Sequence, residues 1–332
     1  MMRAVQLTSA NVIEVAAVAD PEPAAGEAVI RLQAAALNHR DLWIKLGQYA
    51  GITWPVLPGS DGAGVIEALP ADTQGFAVGD EVVINPSFGW GEREAAQGEA
   101  FNILGLPRPG TLAERIAVPV GQLAPKPLHL GWTEAAALPL AGLTAYRALF
   151  SRARLCRGER VLITGIGGGV ALFALQYAVA SGAEVWVTSS RDDKIARAVE
   201  LGARGGFDYR SENWVDEARK QAGGFDVIVD SAGGDGFGAL IDLARPGGRI
   251  VFFGATRGNP PEMPTRKVFW RQLSLLGTTM GSPADWAAMI NLVTDHQITP
   301  IVSQVFDLAD AAAAFDLMEQ GGQFGKIVLR TA

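Results

Sequence analysis

A cluster of glycines near the middle of the chain has the composition of a phosphate-binding turn. It follows the apolar run Val161–Ile163 and leads into a segment with apolar residues at helical spacing. The candidate phosphate contacts are Gly165, Gly167, Gly168, Gly169 and Val170. Free N–H groups and the positive end of a helix dipole attract an anion, and glycines allow it close to the backbone. The turn predicts a bound dinucleotide if it lies in a βαβ unit, and an ordinary surface turn otherwise.

The next strand along the chain ends in hydroxyl and basic side chains. The four candidate contacts there are Ser189, Ser190, Arg191 and Lys194. A carboxylate at this position would accept a hydrogen bond from a ribose 2′-OH, whereas hydroxyls and a guanidinium bind a 2′-phosphate. We therefore predict NADP(H). The alternative is that Ser190 is a polar N-cap before a surface helix, with Asp192 and Asp193 in its first turn.

The pattern of apolar residues, which predicts the strands and helices that position these side chains, changes along the chain. Residues 1–125 contain short apolar runs separated by Pro, Gly and Asp, as in strands joined by turns. From about residue 161 to residue 281, apolar strands alternate with helical segments, which predicts an α/β doubly wound parallel sheet. Ligands of such sheets bind beyond the carboxyl ends of the strands. Further cofactor contacts are therefore predicted at Tyr209, Ala232, Gly233, Gly254, Ala255 and Thr256.

Composition limits the class of protein. The chain has 332 residues, of which 48% are hydrophobic, enough for a globular protein with two domains. Its formal net charge of −7 gives no electrostatic basis for binding nucleic acid or an anionic membrane. No apolar stretch approaches the ~20 residues that span a bilayer, and the N-terminus has no signal-peptide core. We expect a cytoplasmic protein with neither nucleic-acid nor membrane partners.

Several strings distributed along the whole chain match one family. They are AALNHRDL at 35–42, PGSDGAGV at 58–65, VGDEVV at 78–83, AAALPLAGLTAY at 135–146, the glycine turn, and GKIVL at 325–329. Together they resemble the medium-chain dehydrogenase/reductase superfamily, and within it the zinc-free, quinone-oxidoreductase-like branch. The resemblance implies a GroES-like catalytic domain at residues 1–125 and 297–332, with a Rossmann NADP-binding domain at 126–296. It also implies that the active-site cleft lies where the domains meet.

The same resemblance implies further contacts and an assembly. The additional cofactor contacts that it carries over are Thr144, Met280, Phe324, Gly325 and Lys326. It suggests a homodimer through strand-edge pairing near residues 273–279, although an apolar last strand is equally expected in a monomer.

The metal ligands of the family's zinc enzymes are missing. Asn38 stands where those enzymes have a catalytic Cys, Ser60 where they have a His, and Ala141 near the place of another Cys. A catalytic zinc needs about three protein ligands, and residues 85–110 contain none of the four cysteines of the structural-zinc loop. We predict no bound metal and treat His39 as a polar residue near the cleft.

Without a Lewis acid, hydrogen bonds must polarise a substrate carbonyl. Asn38 offers an amide donor, Tyr49 a hydroxyl and Asp41 a carboxylate that could orient its neighbours; the resemblance places the Asn and a Tyr in the substrate pocket. The alternatives are a loop role for Asn38 and a structural role for Asp41. The predicted reaction is hydride transfer from NADP(H) to a quinone or an α,β-unsaturated carbonyl. Two other functions stay open: an NADP(H)-binding protein with little catalysis, and a metal-free alcohol or aldehyde oxidoreductase.

Overall fold

The structure, a computed structural model, describes residues 1–331 and divides them into two compact units. Unit 1 consists of residues 1–141 together with the chain from residue 281 onward, and unit 2 is Gly142–Met280. Among the described residues, no helix has the length and apolarity needed to span a bilayer.

The strands, in chain order, are β1 Met2–Ser9, β2 Val12–Val18, β3 Glu27–Ala36, β4 Asp61–Ala68, β5 Glu81–Ile84, β6 Ser87–Phe88, β7 Asn102–Ile103, β8 Arg115–Pro119, β9 Leu123–Pro125, β10 Arg160–Ile163, β11 Glu184–Ser189, β12 Gly205–Asp208, β13 Phe225–Asp230, β14 Ala244–Phe252, β15 Ser274–Gly277, β16 Val302–Asp307 and β17 Lys326–Arg330. The helices are α1 His39–Lys45, α2 Trp132–Ala137, α3 Pro139–Tyr146, α4 Gly169–Ala180, α5 Asp192–Glu200, α6 Trp214–Ala222, α7 Phe237–Leu243, α8 Thr265–Trp270, α9 Pro283–Asp295 and α10 Ala311–Gln320. A π-helical segment, Arg147–Arg152, continues α3.

Unit 1 is built on a seven-stranded sheet with β3 near its centre. The order is β16-β17-β3-β4-β5-β9, and β8 also pairs with β3. β3 is antiparallel to β17, β4 and β8, while β16 and β17 run parallel. Alternate residues of β3, such as Ile30 and Leu32, are fully buried in the core with Ile66 of β4. Because β17 pairs with β3, the last strand of the chain belongs to the same sheet as the N-terminal strands.

Unit 2 contains a six-stranded sheet of order β12-β11-β10-β13-β14-β15, with parallel pairing throughout. Val161, Leu162 and Ile163 of β10 are all buried, as expected of a strand covered on both faces. In chain order the strands run 3-2-1-4-5-6, and the order reverses between β10 and β13, which is where such sheets bind ligands. The predicted doubly wound parallel sheet is confirmed.

The boundaries of the units differ from the predicted domain limits because two helices belong with unit 1. α2 packs against β3 and β4, so residues after 125 are part of the first unit's structure. Before α9, the backbone carbonyl of Gly281 accepts a hydrogen bond from Ser87 Oγ at 2.7 Å. After α9, the Ile298 carbonyl lies 3.1 Å from His129 Nε2. The units therefore divide at residues 141/142 and 280/281 rather than at 125/126 and 296/297.

Candidate active site

A buried lysine is the centre of a polar cluster in unit 1. Lys326 Nζ donates to the Leu37 carbonyl at 2.7 Å, to Asn38 Oδ1 at 2.6 Å and to Asp61 Oδ2 at 2.8 Å. Asn38 Nδ2 donates to Asp61 Oδ2 at 2.9 Å. Because an ammonium can only donate and a carboxylate can only accept, this network fixes which way the Asn38 amide points. The one hydrogen bond found for Asn38 Nδ2 among the described residues is that to Asp61.

Strand pairing explains why the three side chains meet. β3 ends at Ala36, which lies opposite Asp61 at the start of β4 and opposite Val328 in β17. The residues that follow β3 therefore lie beside the beginnings of both neighbouring strands, where Asp61 and Lys326 are found. Asn38 is two residues beyond the end of β3, immediately before α1.

The charge of Asp61 is fully compensated although the residue is buried. In addition to Lys326 and Asn38, the backbone N–H of Leu140 donates to Asp61 Oδ1 at 2.7 Å. The side chains of Lys326 and Asp61 are 4% and 0% exposed. Removing one partner of a buried ion pair leaves a charge without compensation, which typically costs about 3–5 kcal/mol. The burial of each charge, on Lys326 and on Asp61, therefore depends on the presence of the other.

Asp41 anchors the start of α1. It is fully buried, and its carboxylate accepts from the backbone N–H of Asn38 at 2.8 Å and of Gly59 at 3.0 Å. Burial raises the pKa of Asp41, and this effect is opposed by the charge of Arg40 and by the two N–H donors. These contacts support the structural interpretation of Asp41, since both of its oxygens hold backbone in place.

Tyr49 lies after α1 at a cavity of about 310 Å³ in unit 1. The ring is half-buried, and the Arg40 guanidinium lies 5.0 Å from the ring centroid. No hydrogen bond within the described part of the chain joins Tyr49 to Asn38 or Asp41. The three predicted catalytic residues are thus distributed over two places, the lysine cluster and the cavity. Arg40, which the sequence analysis did not single out, lines that cavity.

The side chains at the positions of the family's zinc ligands have cationic partners. Ser60 Oγ accepts from Arg40 Nη1 at 2.8 Å and donates to the Leu104 carbonyl at 2.7 Å. Asn38 is bound to the Lys326 ammonium. Two positive side chains repel a metal cation, and the described residues contain no group of three or more His, Cys, Asp or Glu that could hold one. Neither Asn38 nor Ser60 offers the thiolate or imidazole that a catalytic zinc takes at these positions.

The glycine turn of unit 2 lies between β10 and α4, as the sequence predicts. Gly165 has φ +63° and Gly167 has φ +120°, conformations that residues with a side chain rarely adopt. Gly168 is the N-cap of α4 and supplies no side-chain hydrogen bond. The N–H groups in the first turn of α4 therefore have no side-chain cap, and they include those of Gly169 and Val170. Such uncapped N–H groups can bind an anion.

Lys194 lies over this turn. A Cβ added to Gly167 would come within 3.0 Å of Lys194 Cδ and 3.2 Å of Lys194 Nζ. Partial burial lowers the pKa of Lys194, with the neighbouring charge of Arg191 acting in the same direction. The structure therefore places a basic side chain beside the candidate phosphate site.

Arg191 is bound to a carboxylate of its own helix. Its Nε and Nη2 donate to Asp193 Oδ1 at 2.9 Å and Oδ2 at 2.6 Å. Arg191, rather than Ser190, is the N-cap residue of α5, and its backbone N–H donates to Ser189 Oγ at 3.1 Å. Asp193 and its neighbour Asp192 are in the first helical turn, as expected. Arg191 must therefore exchange Asp193 for a phosphate if it is to bind a 2′-phosphate.

The remaining strand-end residues of unit 2 form two adjoining loops. The backbone N–H of Thr256 donates to the Ser231 carbonyl at 3.3 Å, and that of Arg257 donates to the Ala232 carbonyl at 2.9 Å. Gly233 and the segment 254–256 are thus brought together beyond β13 and β14. Tyr209 follows β12, and the guanidinium of Arg257 lies 5.7 Å from its ring centroid. Arg257 is a basic residue that the sequence analysis did not identify.

Asp230, at the end of β13, is a second residue that the sequence analysis missed. It accepts from Thr164 Oγ1 at 2.6 Å and from the backbone N–H of Gly233 at 2.9 Å. It therefore ties the residue before the glycine turn to the loop after β13. A buried Asp at the carboxyl end of a parallel strand was the available signal.

The other residues carried over from the resemblance lie in both units. In unit 2, Thr144 Oγ1 lies 4.0 Å from Met280 Sδ, and both residues are buried. In unit 1, the Phe324 N–H donates to Ser303 Oγ at 3.2 Å. Gly325 has φ +117°, and a Cβ there would lie 2.3 Å from the Ile301 carbonyl oxygen, so the backbone packing requires glycine. The Lys326 ammonium uses its three protons within its own cluster, and the backbone N–H of Lys326 donates to the Ile301 carbonyl at 2.8 Å.

Comparison with known proteins agrees with this architecture. Residues 24–128 match the alcohol dehydrogenase GroES-like domain, and residues 169–295 match the family described as zinc-binding dehydrogenase. A zinc-type alcohol dehydrogenase-like protein, YogA, of Leptosphaeria maculans is 34% identical over 94% of this chain and 92% of its own. The quinone oxidoreductase of Mus musculus is 28% identical over 93% of this chain and 90% of its own. The crystal structure of an NAD-dependent alcohol dehydrogenase superposes with a TM-score of 0.95 at 39% identity, covering 100% of both chains.

The GroES-like unit, the Rossmann-type sheet and these similarities define an oxidoreductase. The chain belongs to the medium-chain dehydrogenase/reductase superfamily, as its sequence strings predict. The predicted GroES-like domain is confirmed by the match over residues 24–128.

Proposed function

We propose that the protein reduces a quinone or an α,β-unsaturated carbonyl compound with NADP(H), by hydride transfer and without zinc. The observation that carries this proposal is the Asn38 amide, which Lys326 and Asp61 orient so that one N–H remains for a ligand. The similarity to a mammalian quinone oxidoreductase over nine-tenths of the chain supports the same class of reaction.

A pyridine nucleotide fits unit 2 at the glycine turn. The N–H groups at the start of α4 would hold the pyrophosphate, and Gly165 and Gly167 keep space for it because they have no side chain. Ser189, Ser190 and Lys194 are the candidate partners of the 2′-phosphate, together with Arg191 once it leaves Asp193. When bound, the reduced nucleotide supplies the hydride and leaves as its oxidised form.

Asn38 would stabilise the charge that develops on the substrate oxygen. As a hydride adds to the β-carbon, an electron pair moves onto the carbonyl oxygen, where the free Nδ2 proton can be donated. The Lys326 ammonium on the opposite side of the amide, at Oδ1, polarises the amide and strengthens it as a donor. Water would then protonate the α-carbon, so that one hydride and one proton are added across the double bond. Tyr49 and its cavity offer an apolar surface for the substrate.

Two observations favour a second candidate, an alcohol or aldehyde oxidoreductase that uses NAD(H). Arg191 is paired with Asp193, which weakens the case for a 2′-phosphate site. The similar crystal structure at 39% identity is of an NAD-dependent alcohol dehydrogenase. A nucleotide-binding protein with little catalysis is a third alternative, because a glycine turn alone cannot distinguish binding from turnover.

A substrate panel distinguishes these functions. The purified protein would be treated with EDTA, analysed for metal, and assayed with NADPH or NADH against quinones, enones and aldehydes. We expect turnover of quinones or enones with NADPH in metal-free protein. Turnover of aldehydes alone, or activity that disappears with the metal, would contradict the proposal, and nucleotide binding without turnover would favour the third alternative.

A further inference from the structure

Arg40 is a buried cation without an anionic partner. The residue is 8% exposed, and its Nη1 donates to Ser60 Oγ and to the Leu104 carbonyl, both at 2.8 Å. Its Nε is buried without a hydrogen-bond partner, and both hydrogen bonds found for the guanidinium come from Nη1. Within the described chain, no carboxylate forms an ion pair with this guanidinium.

The carboxylate of the neighbouring residue, Asp41, is not an ion-pair partner of Arg40. Asp41 directs its oxygens to the backbone N–H groups of Asn38 and Gly59. Its charge interacts with that of Arg40 only through space, at a distance beyond an ion-pair contact. Burying a charge is unfavourable unless hydrogen bonds and an opposite charge compensate it. Nε of Arg40 is therefore an unsatisfied buried donor inside unit 1.

This guanidinium lines the cavity of about 310 Å³ at Tyr49. Much of the remaining lining is apolar and includes Phe101, Ile103 and Leu106. Because Nη1 is held by two oxygens, the plane of the guanidinium is fixed before a ligand arrives. The Nε–Nη2 edge of an arginine matches the two oxygens of a carboxylate. A phosphate dianion fits less well, since Arg40 is the one cationic side chain in the described lining of this cavity.

We propose that Arg40 binds a carboxylate of the substrate, so that the protein prefers carbonyl compounds that also carry a carboxylate group. This inference rests on the proposed function for its reaction, but the carboxylate site itself depends only on unit 1. The apolar lining would contact the carbon chain of such a substrate, and the fixed guanidinium would select its charged end.

The first test compares two substrates that differ in one charge. Wild-type protein would be assayed with 4-oxopent-2-enoate and with its methyl ester, using NADPH. We expect kcat/KM for the acid to exceed that for the ester by about tenfold or more, mainly through KM, because a bidentate charged pair is lost with the ester. In Arg40→Gln this preference should fall to near unity. Arg31→Gln, which removes an exposed cation from β3, should keep it.

A second variant guards against misfolding. Arg40→Lys keeps the positive charge but loses the two parallel N–H donors of a guanidinium. It should therefore show an intermediate preference for the acid over the ester. Wild-type protein that reduces both compounds with equal kcat/KM would overturn the carboxylate site and leave the proposed function intact.

A binding measurement tests the carboxylate site independently of the proposed reaction. Calorimetry with 4-oxopentanoate, in the absence of nucleotide, should detect binding to wild-type protein and to Arg31→Gln, and binding at least about tenfold weaker to Arg40→Gln. Binding that depends on Arg40 without any reduction of enones would support the carboxylate site and contradict the proposed function. Equal binding to all three proteins would overturn the site.

Discussion

At the scale of single residues, the hydrogen-bond and ion-pair partners seen in the structure change the roles that the sequence predicts for two basic side chains. Lys326 is predicted as a nucleotide contact, but its ammonium donates to Leu37, Asn38 and Asp61. Arg191 is predicted as a phosphate ligand, and it forms a bidentate ion pair with Asp193. Both roles toward a nucleotide stay predictions, and the second can be tested through its carboxylate partner.

Replacing Asp193 with Asn should release Arg191 for a 2′-phosphate. We expect the Kd for NADPH to fall by about three- to tenfold, while the Kd for NADH changes little, because the pair is exposed and modest in strength. Fluorescence titration with both nucleotides measures this effect. Asp192→Asn is the matched control, since it removes the same charge from the same helical turn without freeing Arg191. An equal improvement in both variants would show that net charge alone is responsible.

Replacing Lys326 with Met should destabilise unit 1. The substitution leaves the Asp61 carboxylate buried without its cation, which we expect to cost about 3–5 kcal/mol. Denaturant unfolding monitored in unit 1 gives this value. The double variant Lys326→Met with Asp61→Asn should recover part of the loss, because the uncompensated charge is gone. Strictly additive effects in this double-mutant cycle would mean that the two side chains do not stabilise each other.

At the scale of elements, the turn between β10 and α4 shows what a local pattern can predict. The glycines at 165–169 follow an apolar strand and precede a helix, and the structure has this arrangement. The pattern is local, because a strand, a tight turn and a helix start are all encoded within a few residues. The contacts that hold the turn to β13, through Asp230, are between distant residues and have no such pattern.

Replacing Gly167 with Ala should weaken nucleotide binding and reduce stability. At φ +120° an alanine is strained, and its Cβ would lie 3.0 Å from Lys194 Cδ. We expect a loss of stability of at least about 1 kcal/mol and a higher Kd for both nucleotides. Gly238→Ala in α7 is the control, since its Cβ meets nothing within 4 Å and alanine favours a helix. Unchanged nucleotide binding in Gly167→Ala would place the pyrophosphate elsewhere.

At the scale of the whole molecule, the chain leaves unit 1, forms unit 2, and returns to complete the first sheet. The resemblance predicts this insertion, and the pairing of β17 with β3 agrees with it. The limits of unit 2 could not be read from strand and helix patterns. α2 and α9 are helices like those of the inserted sheet, and only their tertiary contacts assign them to unit 1.

Hydrogen exchange on the full-length protein should separate the roles of the two units. NADPH should slow amide exchange at the β10–α4 turn and in the loops after β13 and β14, because bound phosphate and ribose cover these N–H groups. 4-Oxopentanoate should instead slow exchange at α1 and in the segment 101–107 of unit 1. Mass spectrometry of the exchanged protein measures both patterns. Protection of the same segments by both ligands would contradict this division of roles.

The sequence by itself determined the family, the parallel sheet, the glycine turn and the hydroxyl-rich end of β11, because these features depend on periodicity and on short local patterns. Only the tertiary structure decided which charges are buried and what they contact. Arg40 stands in the string NHRD like any surface arginine, and it is buried because α1 packs its side chain against Ser60 and Leu104, residues far away in the sequence. The Lys326–Asp61 pair likewise joins residues 265 positions apart. Sequence spacing carries no information about such contacts, because the folding of the chain alone brings these side chains together.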